Sequence, residues 1–181
     1  MSRRDAAATL DLPVGKRDHA QGPAGAPVTL VEYGDYECPH CGRAYPIVKQ
    51  VQQRMGKRLR FVFRNFPLRE SHPNAEHAAE AAEAAGAQGK FWEMHDRLFE
   101  RQFALEDDNL VEYAGELGLD ADRFGKDLAA GSYQPRVRED FRSGVVSGVN
   151  GTPTFFINGA RYDGSWDADT LVSALERAAG E

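Results

Sequence analysis

The chain has 181 residues, of which 41% are hydrophobic and 10% aromatic, with a formal net charge of −6 at pH 7. That is enough apolar surface for one packed domain without staples, and too acidic for nucleic acid or an anionic membrane as partner, since both call for basic patches. No stretch approaches the ~18 consecutive apolar residues of a membrane helix, so no membrane insertion is expected.

Residues 1–27 are rich in Ala, Gly, Pro and charge without steady periodicity, which predicts a flexible N-terminal arm, ordered at most locally near Asp18-His19. Arg3 and Arg4 precede Ala6-Ala7-Ala8-Thr9-Leu10, but Asp11 interrupts that run before it becomes the apolar core of a secretion signal. A cytoplasmic location is therefore expected, or a periplasmic or extracellular one where a leader has been removed.

Val28-Thr29-Leu30-Val31-Glu32-Tyr33 has the length and composition of a strand and ends at Gly34, with Cys38-Pro39-His40-Cys41 directly after it. Ile47, Val48, Val51 and Met55 recur at helical spacing, with a kink expected at Pro46. Leu59–Arg64 reads as a second strand, alternating apolar and basic, closed by Pro67. Strand, helix, strand is a βαβ unit that places the cysteines at its first strand-to-helix turn.

From Pro73 to about Gly148 the signal is helical. Phe91, Met94 and Leu98 share a face, as do Leu110, Ala114 and Leu117. Asp120 caps a short helix carrying Phe124 and Leu128. Val137, Phe141 and Val145 mark a longer helix that ends at glycines. No fixed period recurs, which excludes a solenoid. Pro153–Ile157 is a strand, Asn158-Gly159 a tight turn and Ala160-Arg161-Tyr162 the returning strand. Asp167 then caps a last helix burying Leu171, Val172 and Leu175. The order βαβ, helical insert, ββα predicts a single α/β domain over 28–181 with a helical lid inserted at about 68–148.

The chain has only two cysteines, at 38 and 41, too few and too close for a structural disulfide framework. A cysteine at a helix N-terminus meets unpaired N–H groups and the positive end of the dipole, which stabilise a thiolate. His40, if cationic, adds a favourable charge, and Pro39 suits the first helical turn, where its missing N–H costs nothing. The spacing lets the sulfurs meet with acceptable disulfide geometry. Cys38 is expected to be the exposed nucleophile and Cys41, one turn inward, the resolving thiol. A stabilised thiolate favours the reduced pair and makes its disulfide a stronger oxidant.

Cys38-Pro39-His40-Cys41 resembles the active site of the DsbA proteins of the thioredoxin superfamily, and Gly151-Thr152-Pro153-Thr154 is similar to that superfamily's cis-proline loop. The resemblance runs from about Asp18 to the C-terminus and includes the helical insert. It implies a thioredoxin fold with an inserted lid, and disulfide exchange through a mixed disulfide on Cys38. The partners it implies are cysteine-containing proteins or peptides, with a redox recycling partner or glutathione. It also implies a cis Thr152–Pro153 bond, with Thr152 offering backbone groups to an extended substrate.

Glu32 lies six residues before Cys38. On a core strand it would be desolvated, with a raised pKa, and available to move a proton on or off Cys41; the resembled family places a buried acid at this spacing. On an edge strand it would be an ordinary solvated carboxylate. Asp35 and Glu37 are expected to face water or cap the helix, and Tyr36 and Phe66 to be core residues. His72, His77 and His95 lack any H-E-x-x-H spacing and read as solvated or core histidines, so no metal site is expected. No bound cofactor is expected, because the cysteine pair itself carries both electrons.

Two further readings stand beside disulfide exchange: a chaperone-like peptide-binding module with a redox-sensing cysteine pair, and a soft metal on Cys38, His40 and Cys41. The direction of exchange stays open. Pro39-His40 argues for an oxidising couple, and a cytosolic pool would keep it reduced.

Overall fold

The computed structural model describes residues 7–181. Its centre is a parallel pair, β2 (Val28–Gly34) and β3 (Leu59–Asn65), in register from Val28 opposite Leu59 to Gly34 opposite Asn65. Helix α1 (Pro39–Met55) connects them and runs through Pro46. Both strands are buried nearly along their length, as parallel strands covered on two faces must be. β4 (Thr154–Ile157) pairs antiparallel with β2, and β5 (Ala160–Tyr162) folds back on β4. The turn between them is Asn158-Gly159, both at positive φ, the conformation that a tight two-residue hairpin demands. With β1 (His19–Gln21) antiparallel to β3, the sheet order is β1-β3-β2-β4-β5.

Side chains alternate across β2. Val28 and Leu30 enter a large core with α1, the lid and the C-terminal helix, while Val31 and Tyr33 enter a smaller one with Val62, Phe66 and Phe156. Glu32 shares the parity of Leu30 and so points to the α1 side.

Residues 8–21 depart from the expected flexible arm. Leu10 N–H donates to Gly159 C=O at 2.8 Å, and β1 completes the sheet edge with His19 opposite Phe63. The first six residues of that expectation lie outside the described residues. The physical reason for the order is Arg64. It stands fully buried on β3, and the arm brings it the anion it needs: Asp18 accepts from Arg64 Nε at 2.9 Å and Nη2 at 3.0 Å. Arg64 Nη1 donates to Tyr33 Oη at 2.9 Å, which satisfies the third arm of the guanidinium.

The lid comprises α2 (Ala75–Ala87), α3 (Phe91–Glu100), α4 (Asp107–Glu116), α5 (Ala121–Ala130) and α6 (Gln134–Val146). Asp120 caps α5 through Arg123 N–H at 3.0 Å, and Asp167 caps α7 (Ala168–Ala178) through Thr170 N–H at 2.9 Å. α6 differs from its apolar pattern. It buries Val137, Asp140, Ser143 and Gly144, and leaves Val145 53% exposed. Asp140 turns the helix, because its carboxylate accepts from Asn65 N–H at 3.0 Å, Asn65 Nδ2 at 3.1 Å and Arg17 Nη2 at 2.8 Å. Gly144 permits the close seat, since a Cβ there would lie 2.7 Å from the Phe66 ring.

The Asp18–Arg64 pair sets a prediction. Burial alone would raise the Asp18 pKa, but Arg64 and Gly15 N–H outweigh it and hold the carboxyl below its ordinary 3.8. Its contribution is therefore present above the ordinary carboxylate pKa and lost as pH falls through the lower folded value. Asp18→Asn should cost about 3 kcal/mol in urea unfolding at pH 7, leaving Arg64 buried and unmatched. The difference from the parent should shrink when the comparison is repeated below pH 4.

Candidate active site

The site is built where β2 ends. Asp35 N–H and C=O begin the turn, with Cys38 N–H donating to Asp35 C=O at 3.2 Å. Cys38 is the N-cap of α1 with an extended backbone, Pro39 occupies the first turn, and Gly42 N–H makes the first helical bond to Cys38 C=O at 3.0 Å. Tyr36 is buried and pairs its hydroxyl with His95 Nδ1 at 2.9 Å, and Phe66 is buried beside Phe141.

The sequence reading missed Gln102. It stands between α3 and α4, and its Nε2 donates to Tyr36 C=O at 3.0 Å and Cys38 C=O at 2.7 Å. No spacing or motif marks this residue, because only the lid's docking brings it to the turn. Gly42 accommodates it: a Cβ there would sit 2.3 Å from Gln102 Oε1.

Both cysteines are free thiols and both are buried. Cys38, expected to be exposed, has 3% of its surface accessible. The cover is the loop before β4, where Cys38 Sγ lies 3.7 Å from Thr152 C=O and the Thr152–Pro153 peptide bond is cis. The Cys38 pKa is lowered to about 5. The chief cause is the hydrogen bond from the Cys41 thiol. Burial opposes it, and the backbone N–H groups of Cys41 and His40 reinforce it. Cys41 moves the other way, far above an ordinary thiol. Burial is the largest cause, followed by its donation to Cys38 and the negative charges of Glu32 and Cys38. One sulfur is thus a thiolate because the other keeps its proton.

His40 contributes through its backbone N–H. Its ring is exposed, with Nδ1 accepting a hydrogen bond from Arg43. Pro39 is exposed beside it. Glu32 lies on β2 between β3 and β4, not on an edge, and is 3% exposed with Oε1 buried and unpartnered. Burial first, and the Cys38 charge second, push its carboxyl up to about 8.

Asp35 departs from its expected place in water or at the helix cap. Its side chain is fully buried, not solvated. It accepts from Glu37 N–H at 2.8 Å, Leu68 N–H at 2.9 Å and His72 Nδ1 at 2.8 Å. Glu37 accepts from Asn74 N–H at 2.7 Å, just ahead of α2. An open cavity of about 550 Å³ adjoins the turn, lined among others by Pro39, Arg43, His72, Gln102 and Phe103. His77 pairs with Asp107 on the surface and His95 is buried in an aromatic cluster. Among the described residues no group of three His, Cys, Asp or Glu side chains is arranged to hold a metal ion, and no helix is long and apolar enough to cross a membrane.

A family model described as thioredoxin matches residues 15–177. Among solved structures, the chain is similar to oxidised BdbD from Bacillus subtilis, with a TM-score of 0.86 and 23% identity over 98% of this chain and 100% of that one. It is also similar to the thiol-disulfide exchange protein alpha-DsbA2 from Wolbachia pipientis, with a TM-score of 0.78 and 20% identity over 90% of this chain and 87% of that one. Among curated proteins, Na(+)/H(+) antiporter NhaA 1 of Salinispora arenicola is 49% identical over 162 residues, which cover 90% of this chain and 25% of that protein. The chain thus spans about a quarter of the length of the curated relatives it matches.

The opposed shifts of the two thiols give a direct expectation. Absorbance of the thiolate against pH should titrate Cys38 with a midpoint near 5, and iodoacetamide at pH 6 should label Cys38 and spare Cys41. A midpoint near the ~8.5 of free cysteine would remove the activation.

Proposed function

The chain belongs to the thioredoxin family, in the DsbA-like form of that fold, and from this we propose that it is a protein dithiol–disulfide oxidoreductase reacting through Cys38. The observation that carries the reading is the placement of Cys38 at the N-cap of α1 beside the Thr152 carbonyl, with Cys41 buried one turn further in and the two thiol pKa values moved in opposite directions. That pairing supports a nucleophile and a reserve thiol in a single turn of helix.

As a reductase, the Cys38 thiolate attacks a substrate disulfide. A Cys38–substrate disulfide forms, and the substrate's second sulfur leaves as a thiolate. The negative charge at Cys38 is then gone, and with it part of what kept Glu32 protonated. Glu32 gives its proton up to solvent, where the departing substrate thiolate takes one, and the resulting carboxylate takes the proton of Cys41, whose thiolate attacks the mixed disulfide. The products are the Cys38–Cys41 disulfide and a reduced substrate, with two electrons passed to the substrate. As an oxidase the steps reverse: a substrate thiolate attacks Cys38, Cys41 leaves, and Glu32 returns the proton to it.

Thr152 and Pro153 serve in this reading as the edge on which an extended substrate segment lies beside Cys38. The substrates are cysteine-containing proteins or peptides, and the pair is renewed by a redox partner or glutathione. No bound cofactor enters, because the two sulfurs carry both electrons. The low Cys38 pKa supports an oxidising couple. Where the pool is reducing, as in the cytosol, such a pair is held as the dithiol and acts as a reductase; in an oxidising compartment it acts as an oxidase. The antiporter names belong to proteins of which this chain matches about a quarter, and ion transport is no part of the proposal.

Cys38→Ser should abolish insulin reduction and oxidative refolding, and Cys41→Ser should accumulate mixed disulfides visible on non-reducing gels. Full activity in Cys38→Ser would sink the reading. Absence of exchange in the parent protein, with suppression of aggregation undiminished in Cys38→Ser, would replace it with the peptide-binding module. Glu32→Gln should slow resolution of the mixed disulfide about tenfold or more in stopped-flow measurements, while leaving the Cys38 titration within about half a unit.

A further inference from the structure

We propose that His72, held by Asp35 against the active-site turn, is a positioning residue that binds and releases a proton in step with the redox state of the Cys38–Cys41 pair. This rests on the disulfide chemistry proposed above and names a group that assists it from outside the reacting atoms.

The geometry makes the link short. Asp35 directly follows β2 and stands three residues before Cys38, and its carbonyl and both carboxylate oxygens are committed. Its C=O takes Cys38 N–H at 3.2 Å. Its Oδ1 takes Glu37 N–H, and its Oδ2 takes both Leu68 N–H and His72 Nδ1. A fully buried carboxylate with only backbone partners would be an uncompensated anion beside a thiolate. The His72 ring supplies the counter-charge, with a fifth of its side chain exposed toward the cavity that Arg43, Gln102 and Phe103 also line.

The charges facing His72 can be named. From the active-site turn come Asp35, Glu37 and the Cys38 sulfur. From α1 comes Arg43 across the cavity, and the α3–α4 turn offers only uncharged Gln102, Phe103 and Leu105. On its own segment Arg69 pairs outward with Glu76 at 3.3 Å, and Glu70 is exposed. Burial works against a charged ring, but Asp35, then Cys38 and Glu37, outweigh it and raise its pKa above the ordinary histidine value.

Cys38 is the one member of this anionic set that disappears in the catalytic cycle. Reduction of the disulfide by a dithiol donor moves two electrons to the pair and breaks the S–S bond, leaving a Cys38 thiolate and a protonated Cys41. In the pH range where His72 titrates, the thiolate draws additional proton occupancy onto the imidazole. The coupling is reciprocal: protonated His72 favours the reduced pair by the same factor.

The test needs no substrate. His72 is titrated by heteronuclear NMR in the dithiothreitol-reduced and in the oxidised protein, with His72→Gln assigning the resonance. The midpoint should be lower in the oxidised form by about half a pH unit, a three-fold difference in proton affinity. Equal midpoints overturn the proposal. In folded His72→Gln, which keeps a donor for Asp35 without the charge, the Cys38 midpoint should rise and the glutathione equilibrium should move about three-fold toward the disulfide. An unchanged Cys38 midpoint in that variant also overturns it. A protein that shows the coupling but exchanges no disulfide with insulin or scrambled ribonuclease supports this inference and removes the enzyme reading instead, so the two failures are told apart.

Discussion

A buried carboxylate is tolerated only when its lone pairs are matched, and Asp35 meets that constraint with two backbone N–H groups and an imidazole. These partners come from different parts of the chain. Glu37 belongs to the active-site turn, while Leu68 and His72 belong to the segment that leads from β3 into the lid. One side chain therefore fastens the end of the central strand to the start of the insertion. Glu37 adds a second tie at Asn74, and Gln102 a third from the far end of α3. The helical lid is thus the outer wall of the cysteine turn, and the position of Cys38 depends on it.

Within that frame the chemistry follows from an unequal division of one proton. Two thiols in contact, both cut off from water, cannot both ionise. The one at the helix N-cap receives backbone N–H groups, and for the one a turn deeper burial and the charges of Glu32 and Cys38 prevail. Sulfur identity does not decide the roles; depth along α1 does. Glu32 extends the same logic, because it is buried on the central strand with an unpartnered oxygen and its proton affinity follows the charge at Cys38. The thiolate, the thiol, the carboxyl and the His72 ring make one coupled titrating system.

On the opposite face of the sheet a second polar layer does structural work. Arg64, Asp18, Tyr33 and Ser143 are linked in a buried chain, and Asp140 bridges Asn65 and Arg17. It explains two departures from hydrophobic patterning. Residues 8–21 are recruited to the sheet because β3 carries a buried cation, and α6 rotates its polar side inward because Asn65 at the end of β3 requires an acceptor. Both effects place the lid and the strand ends that hold the cysteines. Local hydrophobicity and net burial part company wherever such a layer exists.

The βαβ unit, the seat of Cys38 and Cys41 at the start of α1, the two Asp caps and the Asn158-Gly159 turn were legible from residue order, and the cis loop at Pro153 only from the resemblance to the DsbA proteins. All but that loop are set by local physics: strand and helix periodicity, turn stereochemistry, capping, and the charge at a helix N-terminus. Glu32 was legible as an acid among apolar neighbours on a strand, and its place between β3 and β4 decided for burial over an edge position in water. The burial of Cys38 and Asp35, the service of Gln102, the partnership of His72, the seat of the N-terminal segment and the true inner face of α6 were not. Those depend on which side chains from distant segments meet across the lid and the sheet, and a pairing between residues 35 and 72, or 18 and 64, leaves no periodic mark in the chain. The sequence by itself determined that two cysteines would stand at the start of a helix; only the tertiary structure decided which charges surround them, because those charges arrive from elsewhere.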